Sequence, residues 1–143
     1  MNENVQNIIS RLRFLAKIQH GEKINVRELF VRDNDSLVQR CLRTARNLST
    51  YISASEMFES KDSTILFIRT TINEAIALIF NYQKSTDKYE RSVAYALIKD
   101  LEDSTCGIKH LMATYQGDRK FTSDADAIIQ TMDIRLKSIK GKD

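Results

Sequence analysis

Residues 63–82 read STILFIRTTINEAIALIFNY, and this stretch decides the architecture. Ile65, Ile68, Ile72, Ala75, Ile76, Ile79 and Tyr82 recur at three- and four-residue steps, the spacing of one helical face. Leu66, Phe67, Leu78 and Phe80 widen that stripe well past the roughly 100° of an ordinary surface helix. A helix apolar around most of its girth needs neighbours on several sides. The spacing therefore predicts a central helix over 63–82. Arg69, Asn73 and Glu74 interrupt its most apolar run, 65–80, which reads as too short and too charged to span a bilayer.

The same period recurs on both sides. Upstream, Val5, Ile8, Ile9, Leu12, Leu15, Ala16 and Gln19 trace one face of a helix over 3–20, and Gly21 suits its C-terminal cap. Arg11 and Arg13 fall inside that pattern and no small-residue cleavage site follows, so the segment does not read as a signal peptide. A second helix is expected over 37–53, with Leu37, Val38, Cys41, Leu42, Ala45, Leu48 and Ile52 inward and Asp35 or Ser36 as N-cap. Between the two lies GEKINVRELFVRDND (21–35), where Ile24, Val26 and Glu28 alternate. Asn25 with Glu28 also makes a capping box, so a one-turn helix and an extended strap both fit. Ile24, Val26, Leu29, Phe30 and Val31 are apolar enough to pack this strap across the helices.

Downstream, Ser85, Thr86 and Asp87 reset the pattern for a fourth helix. Tyr89, Val93, Leu97, Leu101, Ile108, Leu111, Met112 and Tyr115 hold one seam as far as Gln116. Gly107, preceded by Ser104 and Thr105, costs a helix interior about 1 kcal/mol. Sequence leaves a break there and an unbroken helix equally open. Ser123 with Asp126 starts the last helix, which carries Ile128, Ile129, Met132, Leu136 and Ile139. Its basic end (Arg135, Lys137, Lys140, Lys142) suits the negative pole of the helix dipole.

The chain of 143 residues contains no proline, which removes the strongest helix breaker. Its length fits one domain, and 42% hydrophobic with 29% charged residues is the balance of a globular chain. The expected fold is all-α: a single domain over 1–143, a bundle of five or six helices with an irregular apolar strap between the first two. Cys41 and Cys106 stand far apart and fit a reducing, cytoplasmic setting.

Catalytic signatures are hard to find. The four glycines stand singly, so neither nucleotide-binding fingerprint is present. His20 and His110 lack ligand-spaced companions, and RDNDS (32–36) lacks the glycine and distal glutamate of a calcium loop. Glu102 with Asp103, Asp124 with Asp126 and Asp33 with Asp35 are carboxylate pairs explained by capping or solvation. Cys41 lies on an apolar stripe and reads as a small core residue, although Arg40 and Arg43 would lower its pKa if it were exposed. No cofactor, metal or small-molecule substrate is expected, and the chain does not read as an enzyme.

Charge is unevenly placed. Residues 1–50 carry nine Lys/Arg against five Asp/Glu, while 51–143 carry thirteen against fourteen. Arg40, Arg43 and Arg46 recur every third residue on the second helix, and Arg27 and Arg32 precede them on the strap. Together they form a candidate patch for phosphate or for an acidic partner. Salt bridges to Asp33, Asp35 and other acids account for the same residues without any ligand.

GEKINVRELFVRDNDSLVQRCLRT (21–44), STILFIRTTINEAIALI (63–79) and CGIKHLMATYQGDRKFTSDADAIIQTMDIRLK (106–137) follow one another in an order that resembles small helical proteins of large DNA viruses, of the mimivirus and phycodnavirus kind. The likeness runs from Ser10 to Lys137 and carries no functional residues. It implies a viral source and a virion or capsid-associated role in host cytoplasm. Six phenylalanines (14, 30, 58, 67, 80 and 121) are more than one small core readily absorbs, and those left outside would mark an interface. The expected function is that of a structural protein acting through helix faces on a protein partner or on itself. The alternative is a nucleic-acid-binding accessory protein using the arginine ridge.

Overall fold

The computed structural model describes residues 3–18, 23–25, 35–42, 51–53 and 58–141. Five helices occur among them: α1 Glu3–Ile18, α2 Ser36–Cys41, α3 Lys61–Gln83, α4 Lys88–Thr114 and α5 Arg119–Lys140. Two three-residue strands, β1 Lys23–Asn25 and β2 Tyr51–Ser53, pair antiparallel with Ile24 opposite Ile52.

The second helix is shorter than its apolar period predicts. It ends at Cys41, with Leu42 as C-cap, and Tyr51–Ser53 is strand. An aromatic residue and an isoleucine favour the extended state locally, and β1 supplies backbone partners that a lone strand lacks. Of the strap, Lys23–Asn25 takes the extended alternative. Val26, Glu28, Leu29, Phe30 and Val31 lie outside the described residues, as do Gln19, His20 and Gly21.

Four of the helices, α2 to α5, begin at a side-chain cap. Asp35 accepts the Leu37 N–H at 2.8 Å, Ser60 that of Ser63 at 3.0 Å, and Asp87 that of Tyr89 at 2.8 Å. Asp118 accepts the Phe121 N–H at 3.0 Å, so α5 starts at Arg119 rather than at Ser123. The Phe121 ring stands edge-on to Tyr115 at 4.9 Å, which anchors that first turn. Helix α4 runs unbroken through Gly107, and the hydroxyls of Ser104 and Thr105 both donate to the Leu101 carbonyl.

Short turns make α3, α4 and α5 antiparallel in succession, so α3 and α5 run in the same direction. Lys61 meets Asp118 at 3.0 Å where both start, and the Gln83 amide donates to the Ile139 carbonyl at 3.2 Å where both end. Helix α1 lies mainly along α4: Arg13 stands near Asp100, and Leu15 and Ile18 lie against Gly107 further on. A Cβ placed on Gly107 would stand 1.8 Å from the Leu15 carbonyl oxygen, so the two backbones touch there.

Helix α3 packs against all four other helices, as its girth predicts. Ile68, Ile72, Ala75, Ile76 and Ile79 are fully covered, while Leu66 and Phe80 keep 39% of their surface. At 23 residues and a mean hydropathy of 1.4 in its most apolar window, α3 is long and apolar enough to cross a bilayer; half of that window is buried within the protein. Phe14, Phe58 and Phe67 meet edge-on in a triangle with centroids 5.4–5.7 Å apart. Four of the five described phenylalanines are core, and Phe30 lies outside the described residues.

Candidate functional site

The best-built polar arrangement surrounds Arg11. This side chain sits on the inner face of α1 with Ile8, Leu12 and Leu15, and only 3% of it is exposed. A buried guanidinium persists only where it is paired and hydrogen-bonded. Arg11 is committed at all three nitrogens. Its Nε faces Asp35 Oδ2 at 2.9 Å, as an ion pair rather than an aligned hydrogen bond. Nη1 donates to Thr71 Oγ1 at 3.2 Å, and Nη2 donates to Glu74 Oε2 at 2.5 Å.

Three elements therefore converge on one cation. Asp35 also caps α2 through its other oxygen, so one carboxylate starts that helix and ties it to α1. Glu74 comes from α3 and is 44% exposed, which leaves it largely in water. A cleft of about 490 Å³ opens over the group, lined also by Asn4, Asn7, Thr70 and Arg40. Among the described residues, two arginines line it with two carboxylates. Its floor is a clamp between helices.

Of the arginines read as a phosphate or partner patch, only Arg40 is described. It is exposed on α2 and lines this cleft. Arg27, Arg32, Arg43 and Arg46 lie outside the described residues. Asp35 pairs with Arg11, which the ridge did not include. Sequence did hold a signal for it: Arg11 follows Ile8 by three residues and precedes Leu15 by four, at the centre of the apolar stripe.

Cys41 is 1% exposed, and its thiol contacts the Ser63 carbonyl at 3.5 Å. Burial pushes the thiol pKa up and outweighs the opposing pull of Arg40, in keeping with its place as a small core residue. Cys106 is exposed and free. Among the described residues no three His, Cys, Asp or Glu gather as metal ligands. Glu102 bridges to Lys140 at 2.7 Å on the surface, and Asp126 accepts from Gln130.

Asp100 lies in a smaller cleft of about 240 Å³ between α1 and α4, with Arg13, Lys17 and Asp103. Burial raises its pKa above the ordinary 3.8, against the attraction of Arg13. The folded protein then holds this proton more tightly than the unfolded chain does. Its charge works against folding at neutral pH, and that cost fades as pH falls through the folded-state pKa. Asp100→Asn is expected to melt slightly higher than wild type at pH 7, with the gain gone near pH 3 in calorimetry at both values.

A second groove, about 250 Å³, runs between α3 and α5 with Arg69, Ile72 and Ile76 on one side and Asp124, Ile128 and Met132 on the other. Leu66, Asn73 and Phe80 recur every seventh residue on the outer face of α3 beside it, and Lys84 lies 3.9 Å over the Phe80 ring. Compared with known proteins, the chain matches no protein family, no curated protein and no solved structure.

Proposed function

We propose that this chain is a non-enzymatic helical interaction protein: a compact helix bundle that presents the α3–α5 face to a protein partner or to a second copy of itself. The observation that carries this reading is the half-exposed pair Leu66 and Phe80 beside the apolar-floored groove. Covering what remains exposed of each side chain contributes about 1 kcal/mol. A stable interface of roughly 1,600 Å² therefore needs the groove as well, and self-association through this face alone is weak. The setting, a virion or host cytoplasm, rests on the sequence resemblance to small proteins of large DNA viruses, and two unpaired cysteines accord with it.

Light scattering over a concentration series tests the reading. Wild type is expected to gain mass at high micromolar concentration, and Leu66→Glu with Phe80→Glu to remain monomeric with unchanged circular dichroism. A wild type that stays monomeric throughout removes self-association and leaves a foreign protein as the partner. The nucleic-acid alternative has the exposed Arg40 in its favour. It calls for binding that weakens steeply with salt and on Arg40→Ala.

A further inference from the structure

We propose that the occupant of the α3–α5 face is a second copy of the chain, docked antiparallel about a twofold axis that passes between the two Asn73 side chains and between the two Thr131 side chains. This rests on the interaction reading above and commits it to one partner and one orientation.

Along α3 the outward pattern is symmetric about Asn73. Leu66 stands seven residues before it and Phe80 seven after, each 39% exposed. The exposed Asp62 stands eleven residues before it and the exposed Lys84 eleven after. In a twofold interface residue i of one copy meets j of the other, and j meets i. Two antiparallel copies of α3 that cross at Asn73 therefore set Leu66 against Phe80 and Asp62 against Lys84, each pair formed twice. A parallel pairing sets Asp62 on Asp62 and Lys84 on Lys84, and like charges across an interface are costly.

Helix α5 shares the same centre. It runs in the same direction as α3, and Asn73 and Thr131 stand at one level, twelve residues past Lys61 and Arg119, on the two walls of one groove. The axis that crosses Asn73 crosses the exposed Thr131 as well. It brings Ile134, 69% exposed, to within one residue's rise of the other copy's exposed Ala127. Apolar pairs thus flank a polar centre on both helices. Asn73 suits that centre, because an amide both donates and accepts, and two of them across an axis can satisfy one another. A single polar residue within an apolar seam fixes register and orientation at some cost in strength.

The dimensions fit a modest dimer. From Asp62 to Lys84 the face is about 33 Å long, and two helices side by side make it about 20 Å wide. Its footprint is on the order of 600 Å² per copy, near the lower edge of a specific interface once both copies are counted. Within one copy Asp62 already lies 3.8 Å from Lys120, and Lys84 lies over the Phe80 ring. The end pairs are therefore shared and solvated, and they orient the dimer more than they tighten it.

Cysteine crosslinking of the full chain tests the axis, on a Cys106→Ser background with the buried Cys41 left in place. Thr131→Cys puts a thiol on the twofold. With copper phenanthroline at high micromolar protein it is expected to form a disulfide dimer at least tenfold faster than Ala127→Cys. Two copies of residue 127 lie about 12 Å apart along the helix axis in this arrangement, beyond the reach of a disulfide. Leu66→Glu added to Thr131→Cys is expected to slow the crosslink at least tenfold, with unchanged circular dichroism. Equal rates for the two cysteines overturn the antiparallel axis and leave the interaction reading standing. A wild type that stays monomeric throughout sedimentation overturns the second copy as occupant and leaves that reading with a foreign partner. A dimer that survives Leu66→Glu with Phe80→Glu overturns both.

Discussion

Gly107→Ala will destabilise the fold by roughly 3 kcal/mol or more, although alanine is the better helix former. The intrinsic gain for glycine to alanine inside a helix is about 1 kcal/mol. Against it stands a Cβ at 1.8 Å from the Leu15 oxygen and 2.8 Å from the Leu15 carbon, both backbone atoms that no rotamer change can withdraw. Relieving the overlap moves α1 more than an ångström off α4, along the most extensive helix contact in the structure. Overpacking of this kind costs 1–3 kcal/mol where side chains can yield, and more where they cannot. For a chain of this length the melting temperature falls by roughly 6–12 °C. Gly117→Ala is the control: nothing lies within 4 Å of its added carbon, and it should stay within about 0.5 kcal/mol of wild type. Equal behaviour of the two variants in thermal melts would refute the backbone contact.

The second large effect belongs to Arg11. Arg11→Met keeps most of the apolar stem but leaves Asp35 and Glu74 facing a site with no cation. Removing one partner of a buried pair costs about 3–5 kcal/mol. The lower end applies here, since Glu74 at 44% exposure relaxes into water. Arg11→Lys retains the charge as a single point that cannot reach Asp35, Thr71 and Glu74 together, and is expected to lose about 1–2 kcal/mol. Adding Asp35→Asn to Arg11→Met should cost less than the two separate losses combined, because it removes the stranded carboxylate while keeping the cap. Chemical denaturation of the four proteins measures that coupling. Strict additivity would show that the guanidinium and Asp35 do not interact.

Much of this fold is legible in the residues. Helix α3 declares itself through its wide apolar stripe, α4 through a sustained seam that follows Asp87, and α5 through its own stripe, although α3 begins after Ser60 and α5 after Asp118, ahead of the expected Ser63 and Ser123. The exceptions have identifiable causes. Leu48 and Ile52 continue the period of α2, so nothing local separates a long helix from a short one followed by a strand; the pairing of Tyr51 with Asn25 decides it across 26 residues. Gly107 weighs against a helix when only its own backbone is counted. Its use lies in the neighbour it lets approach, and the local pattern contains no Leu15.

The polar site was less legible. An arginine within an apolar stripe looks the same whether it snorkels to water or is met by carboxylates, and its partners lie 24 and 63 residues away. The spacing points to Arg40, which does border the cleft, yet the side chain that organises it is Arg11.

The contact between Leu15 and Gly107 also bears on how a ribosome delivers this protein. Helix α1 emerges before α4, and the backbone it must lie against is about 90 residues behind, or roughly 5–20 s at ordinary translation speeds. During that interval Ile8, Leu12 and Leu15 have no α4 to cover them, whereas α3, α4 and α5 each follow their neighbour within a few residues. A chaperone that samples nascent chains would meet α1 uncovered for longer than α4 or α5, and placing that helix directly behind α5 would shorten the encounter.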